Sequence, residues 1–456
     1  MAASIIDSLL FGDQFSTPEM RDIFSDERTL ETWLAVEAAL AKAQAQAGIV
    51  PEAAADAIGR AADAGLYDLA DLKAEMDRTK HPIMPLVWAM GARLEERGEA
   101  EAAGFVHWGA TTQDIMDTGT VLQLSDAYGE IEAGLSALRA ALAAQARQHR
   151  STPMAGRTHG QQALPITFGY KAAVWLAEVR RAMERLAQSR PRVLVGQFSG
   201  AVGTLASLGG ADSNRGLEVQ ETMFAILGLG VPDISWHTAR DGFAEFASAV
   251  ALAAGAAGKI GGEVYALQRT EIGELEEPNL EGHVGSSTMP HKRNPAASET
   301  VVALARSAAN AAALAIANLG HEHERFKIGL QVEREYMPRL CCHADAAIKK
   351  AAFVVENLTV NTGAMRRNLD ATGGLLLSEA VMMKLAETLG RQRAHDIVHT
   401  ACARVLDGGG SFRDALLDAP EFGDRFDDAA LDALLAPEAY TGLAAAFVDR
   451  VLAGEA

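Results

Sequence analysis

The sequence predicts an all-α fold, an elongated three-domain subunit built around a central bundle of long helices. Three observations predict it. Segments rich in Ala, Leu, Glu and Arg, at 27–48, 120–149, 166–190, 237–275, 295–319 and 332–357, repeat their apolar residues at the three- and four-residue spacing of a helix. Runs of alternating β-branched residues are scarce, R-V-L-V at 192–195 being the main exception. Several segments would form helices of roughly 25 to 40 residues, about 40–60 Å long at the helical rise. Helices this long and alanine-rich approach one another closely and draw stability from neighbours in their own chain or in other subunits.

Taken in order, residues 1–107 hold shorter helices separated by the loop signals S-T-P-E-M, G-I-V-P and K-H-P-I-M-P. Residues 108–357 carry the long helices and, at 282–295, a segment that cannot be one of them. Residues 358–456 return to short helices, broken at Gly373-Gly374, Gly408-Gly409-Gly410 and Pro420. No internal repeat or low-complexity linker interrupts this order.

The composition of the 456 residues, 49% hydrophobic and 22% charged, is that of a globular protein with an ample core. A formal net charge of −19 disfavours nucleic acid and anionic membrane as partners. An anionic substrate therefore requires a local basic exception. The N-terminus has no basic segment followed by a cleavage site, and no run of ~18 apolar residues predicts a membrane span. The alanine-rich stretch 244–258 reads as a helix packed on all sides. Cys341, Cys342 and Cys402 are too few for a disulfide framework, so the expected compartment is the reducing cytoplasm.

The informative places are the polar breaks between helices. G-F-V-H-W-G-A-T-T-Q-D at 104–114 opens a long helix, with Thr111, Thr112 and Asp114 as N-cap candidates; the same free N–H groups suit a carboxylate ligand. P-M-A-G-R-T-H-G-Q-Q-A-L-P at 153–165 places Arg157, Thr158, His159 and Gln161 between a Gly and a Pro, and His159 has the acid–base range of an imidazole. Q-F-S-G-A-V-G-T at 197–204 reads as a tight turn and lacks the Gly-Lys-Ser/Thr of a phosphate loop. G-S-S-T-M-P-H-K-R-N-P at 285–295 is a loop by its two prolines, and its Ser286, Ser287, His291, Lys292 and Asn294 exceed what folding needs. His321 and His323 are two residues apart with no cysteine beside them, so no metal site is read. Neither a nucleophile elbow nor a nicotinamide fingerprint is present, and no cofactor is expected. Acid–base chemistry on a carboxylate-rich small molecule remains.

The segment 285–295 resembles the signature G-S-S-x-M-P-x-K-x-N-P of the aspartase/fumarase superfamily, and G-A-T-T-Q-D and G-R-T-H-G-Q fall in the order of its first two conserved regions. The resemblance covers nearly the whole chain. It implies a homotetramer whose active sites are each assembled from three subunits, and anti β-elimination across a succinyl unit with release of fumarate. It implies Ser286 as the base that removes the Cβ proton and His159 as the general acid. Lys292 and Asn294 would hold the carboxylate that takes up charge, and Thr111, Thr112, Thr158 and Gln197 would bind carboxylates. Gln113, His81 and Arg325 complete the expected substrate-binding set.

The framework is most similar to bacterial 3-carboxy-cis,cis-muconate cycloisomerases, through L-F-G-D-Q-F-S-T-P-E-M-R-D-I-F-S-D, P-R-V-L-V-G-Q-F-S-G-A-V-G-T-L-A and E-H-E-R. That branch carries a Trp where this chain has His159, and Trp residues after E-H-E-R where this chain has Leu330 and Arg334. His81 and His159 instead resemble adenylosuccinate lyase, yet Gln14-Phe15 and Leu330-Gln331 stand where that branch grips a nucleotide phosphate. The combination implies a C–N lyase acting on an N-succinyl polycarboxylate without a phosphate, such as an iminodisuccinate-like aminopolycarboxylate. Cycloisomerase is the alternative; adenylosuccinate lyase or a non-catalytic structural relative fits less well. Lys327 or Arg334 in the same pocket as Ser286 would point to a second dicarboxylate arm in the substrate.

Overall fold

The protein was analysed as a computed structural model, which describes residues 4–210, 213–279, 282, 285–286, 288–408, 410–423 and 425–455. Among these, helices dominate: α1 (Asp26–Gln46), α2 (Glu52–Ala61), α3 (Leu69–Thr79), α4 (Met84–Glu96), α5 (Thr112–Gln148), α6 (Phe168–Val193), α7 (Arg215–Leu227), α8 (Asp241–Leu267), α9 (Ala296–Ala317), α10 (Lys327–Glu356), α11 (Thr362–Asp370), α12 (Ser378–Leu389), α13 (Arg391–Leu406) and α14 (Ala444–Leu452), with shorter turns between them. The six long segments read from periodicity are α1, α5, α6, α8, α9 and α10. The largest departures are at α5, which starts at Thr112, inside the polar cluster, and at α8, which stops at Leu267.

Strands are few. β1 (Pro153–Thr158) and β2 (Gln161–Thr167) form an antiparallel hairpin, and β3 (Leu275–Glu276) pairs with β4 (Thr359–Val360). The hairpin corrects the expectation of a plain break before α6. Its two-residue turn is His159-Gly160, with φ of 52° and 76°, the left-handed pair that a type I′ connection demands. The strand expected at 192–195 reduces to one bridge, Val195 to Gly230, because α6 runs through Val193.

The chain divides into two compact units. One comprises residues 1–134, 182–255 and 303–348; the other comprises 135–181, 256–302 and 349–456. In the first, α1, α2 and α4 enclose a core from Leu30 and Leu34 to Val106. Full burial of a side chain such as Leu34 contributes about 1.5–3 kcal/mol. In the second, Val381, Ile397, Phe412, Leu416 and Leu431 close a separate core over α12 and α13. Two helices, α8 and α9, are long and apolar enough to cross a membrane by length and composition alone, and α8 is mostly buried within the protein.

In the first unit, a half-buried turn ahead of α5 is held by a histidine–carboxylate pair. His107, itself at φ 60°, bonds Glu37 at 2.6 Å. Burial alone would lower the His107 pKa, but the hydrogen bond and charge of Glu37 outweigh it and raise it above 6.5. A raised histidine stabilises the fold below its unfolded pKa, and that stabilisation fades as pH climbs through the folded value. Glu37→Gln should therefore lower the melting temperature most near about pH 6, with the deficit shrinking towards about pH 9. A pH-independent deficit in thermal melts would remove the ion pair from the account.

Candidate active site

The expected site residues fall into two groups, one in each unit. In the first unit they gather at the start of α5. Thr111 is the N-cap, and Asp114, three residues on, reaches back to its N–H at 3.0 Å, the carboxylate half of a capping box with Asp in the third helical position. The Asp114 carboxylate is fully buried and also accepts from Ser199 N, Gly200 N and His237 Nε2, at 3.1, 3.0 and 2.8 Å. One carboxylate thus ties the helix start to the turn at 197–204 and to the segment before α8.

The Asp114 N–H goes to the Thr111 carbonyl, which leaves the Thr111 hydroxyl for Arg325, whose guanidinium also reaches the carbonyl of Ala201 at 3.3 Å. Thr112 Oγ1 meets His81 Nε2 at 3.1 Å, while His81 Nδ1 accepts the N–H of Met84 at 3.1 Å. That acceptor role places the proton of the neutral ring on Nε2, facing Thr112. Burial and the charges of His107, Lys327 and Arg325 hold the His81 pKa below its ordinary value, so the ring is neutral near pH 7.

Thr112, His81 and Arg325 line a cavity of about 490 Å³ together with Lys80, Lys327 and Arg334; Leu330 and Gln331 face it as well. No Asp or Glu belongs to this lining. In a chain of net charge −19 it is the local basic exception that an anionic substrate requires.

Gln113, which also borders this cavity, and Gln197 spend their side-chain amides inside the fold. Gln113 is buried and donates to Asp117 Oδ2 at 3.0 Å and to the carbonyl of His237 at 2.8 Å. Gln197 is fully buried, donates to Ser199 Oγ at 2.8 Å and accepts the N–H of Trp236 at 2.9 Å. Beneath them lies a network the sequence reading did not find. Arg240 makes paired hydrogen bonds to Asp117 (2.8 and 3.0 Å) and to Glu333 (2.7 and 2.5 Å), with its guanidinium near the rings of Trp236 and Phe243. It fastens the second turn of α5 to the second turn of α10, the two helices whose first turns face the cavity.

In the second unit, Thr158 and His159 stand exposed at the hairpin tip. Arg157, one residue before the hairpin tip, is fixed by a bidentate pair with the buried carboxylate of Glu274, at 2.7 and 2.9 Å. Asn368 also donates to Glu274, at 2.7 Å.

The loop carrying Ser286 is pinned at both ends. Glu277, ahead of it, accepts from the N–H groups of Ala297 and Ser298 and from Ser298 Oγ, at 2.9–3.0 Å, and so caps α9 behind it. Arg293 bonds Glu276 at 2.5 Å. Ser286 Oγ accepts from the N–H of Thr288 at 3.3 Å and of Met289 at 3.0 Å. Asn294 donates its side-chain amide to the carbonyl of Gly285. Lys292 and Asn294 line a cavity of about 980 Å³ along with Glu276 and Glu299. Ser287 lies outside the described residues.

Comparison with known proteins identifies the lineage. Residues 13–309 match the family described as Lyase, and residues 374–451 the family described as Adenylosuccinate lyase C-terminus. The chain belongs to the aspartase/fumarase superfamily. It is 42% identical over 453 residues, 99% of this chain and 98% of the relative, to N-acetyl-S-(2-succino)cysteine lyase of Enterococcus italicus. It is 43% identical over 445 residues, 97% and 96% of the two chains, to 3-carboxy-cis,cis-muconate cycloisomerase of Pseudomonas aeruginosa. Among solved structures, fumarate lyase from Mesorhizobium sp. BNC1 superimposes with a TM-score of 0.89 at 42% identity, covering 96% of this chain and 98% of that one. The superfamily signature of this member thus falls on the loop held by Asn294 and Arg293, and its first conserved region on the Asp114-capped start of α5.

His237, Arg240, Glu274 and Glu277 are supporting residues that the sequence does not mark, whereas Asp114 is legible there as a cap candidate. The T-x-x-D spacing of Thr111 and Asp114 is the one local signal that marked a support.

Proposed function

We propose that the protein is a cytoplasmic lyase that releases fumarate from an N-succinyl, non-nucleotide polycarboxylate by anti β-elimination. The observation that carries this reading is the cavity at the start of α5, lined by four cations and no carboxylate. Phe15 supports the absence of a nucleotide, since it packs against Leu304, Ala346 and Ala347 rather than presenting a phosphate ligand.

In this reading Ser286 takes the Cβ proton, and its two backbone N–H partners stabilise the alkoxide that does so. The electrons of that C–H bond become the new double bond. The Cα–N bond breaks with its electron pair going to nitrogen, which His159 protonates. Lys292 holds the carboxylate that takes up charge as the proton leaves. Asn294 keeps the loop closed on Gly285 as well as facing that carboxylate. Thr111, Thr112, Thr158, His81 and Arg325 bind the remaining carboxylates, and Gln113 and Gln197 hold the cavity wall. The reading includes a homotetramer with active sites shared between three subunits, three domains at 1–107, 108–357 and 358–456, and neither a nucleic-acid nor a membrane partner. The separate cores around Leu30–Val106 and Val381–Leu431 support the outer domains.

Purified protein should raise absorbance at about 240 nm with at least one member of a panel of N-succinyl amines, a π-system of fumarate appearing as the bond breaks. Silence on the whole panel, with lactonisation of 3-carboxy-cis,cis-muconate, would establish the cycloisomerase reading that the 43% identity favours. Cleavage at sulfur is a second reading, favoured by the S-succino compound in the name of a 42% identical relative. A thiolate leaves without prior protonation. His159→Gln should therefore cost about 10²–10⁴-fold with nitrogen substrates and far less with thioethers.

A Cβ on Gly285 would overlap the Lys292 carbonyl oxygen, so Gly285→Ala must push the two sides of the loop apart. Turnover should fall by about 10²-fold, the effect of displacing reacting groups by an ångström, while circular-dichroism melts stay near wild type. Full activity in this variant would show that the loop contact is irrelevant to catalysis.

A further inference from the structure

α10 begins at the mouth of the first-unit cavity and presents Lys327, Gln331 and Arg334 to it. These positions are separated by four and three residues, so they form one stripe along the helix. Lys80, in the left-handed conformation that ends α3, reaches the same space with φ 54°. Arg325 is committed to the Thr111 hydroxyl and the Ala201 carbonyl. Lys327 and Arg334 have no such commitment. Arg334 has a weak contact of 3.4 Å to Gln331 Oε1 and one of 3.6 Å to Met116 Sδ. Among the described residues, no carboxylate lies within ion-pair distance of Lys80, Lys327 or Arg334. Elsewhere on this surface arginine is usually paired, as in Arg28 with Asp126 or Arg150 with Asp449.

Two cations on one stripe, next to a third and with no carboxylate in ion-pair contact, repel one another, and Glu333 offsets Arg334 only from a longer range. Burial also pulls Arg334 below its ordinary pKa. Both costs are relieved by an anion lying along α10. The wall between these cations is Leu330 and the Met116 thioether, which suits a short hydrocarbon spacer and not a sugar or a base.

We infer that Lys327 and Arg334 bind a second carboxylate arm on the leaving half of the substrate, so that the substrate carries at least three carboxylates: two on the succinyl unit and one beyond the bond that breaks. Lys80 supplies a third positive charge for that arm. This rests on the fumarate-releasing reading above, in which Thr111, Thr112, Arg325 and Lys292 serve the succinyl carboxylates.

The test pairs substrates that differ only in the arm. One pair is N-succinylglycine-type and N-succinyl-ethylamine-type compounds, with the succinyl carbon C2 on nitrogen. The other is S-succinylated N-acetylcysteine and its carboxamide. Fumarate release from each is followed with wild type, Lys327→Met, Arg334→Met and Lys327→Glu. Wild type should prefer the acid arm by at least about tenfold in kcat/KM, the usual worth of a charge-assisted contact. Each methionine variant should lose most of that preference, with the loss in KM rather than kcat. Lys327→Glu should reverse it, favouring the carboxamide. Lys327→Arg should retain it, which a merely structural lysine would not require. The free amino acid product should inhibit wild type competitively and lose potency against Lys327→Met. Equal handling of both members of a pair by wild type would overturn the inference and leave fumarate release standing. So would variants that weaken both members equally. No fumarate from any of the four compounds would instead sink the reading on which it rests, and the inference with it.

Discussion

Ser286→Ala should lower the rate of fumarate release by about 10²–10⁴-fold, with KM and melting temperature close to wild type. The reason is local. The Ser286 hydroxyl accepts two backbone N–H groups, from Thr288 and Met289, and makes no bond that ties the loop to a helix. Loop closure rests instead on Asn294 with Gly285, on Arg293 with Glu276, and on Glu277 at the cap of α9. Removing the oxygen deletes the proposed base without releasing the loop. Substrate binding survives because the cations at the start of α5 and α10 are untouched. The measurement is initial-rate kinetics on the best substrate of the panel. A variant that keeps more than about a tenth of wild-type kcat would remove Ser286 from the role of base.

Arg240→Met should cost about 3–5 kcal/mol of stability, the largest effect expected of one substitution outside the reaction itself. Arg240 is 3% exposed and answers two buried carboxylates with four hydrogen bonds. Burial works against its charge, but Asp117 and Glu333 overcome that and hold it protonated far beyond any accessible pH. Burial also raises Glu333 above its ordinary carboxylate value even with Arg240 present. With methionine in its place, Asp117 and Glu333 face each other uncompensated. The Glu333 carboxyl, already raised by burial, then loses the charge that opposed that rise and binds a proton more readily in the fold than in the unfolded chain. The stability deficit should therefore be full at neutral pH and shrink on acidification through the folded Glu333 value. Adding Asp117→Asn and Glu333→Gln to Arg240→Met should recover part of the loss. Chemical denaturation across pH reads both outcomes. A deficit under about 1 kcal/mol, or one that grows as pH falls, would contradict the network.

How much was visible beforehand differs between parts of the molecule. The long helices were legible because a repeating 3.6-residue pattern over twenty or more residues has no competing explanation. The hairpin at 153–167 was not. Its strands are short, β1 carries a bulge between Ala155 and Arg157, and a turn of His-Gly lacks the Asn or Asp that usually marks a type I′ connection. The chemistry of 285–295 was legible because its motif is long. The orientation of amides was not: Gln113 and Gln197 offer donors in the sequence, and only the fold turns them towards Asp117, Ser199 and Ser235. Lys327 and Arg334 were visible as charges. That they share one stripe and one cavity depends on where α10 begins, and no cap residue in the sequence fixed that start.

Asp114 carries a consequence for how the chain reaches its native state. Its four donors come from residues 3, 85, 86 and 123 positions away. Until the last of them arrives, a carboxylate is being drawn out of water with its bonds unfilled, which is unfavourable. Closing loops of that length is slow, and partial closure brings little reward. The wall of the cavity should therefore assemble in one late step rather than segment by segment. A chain released from denaturant would regain its helical signal well before it regains a place to bind an anion.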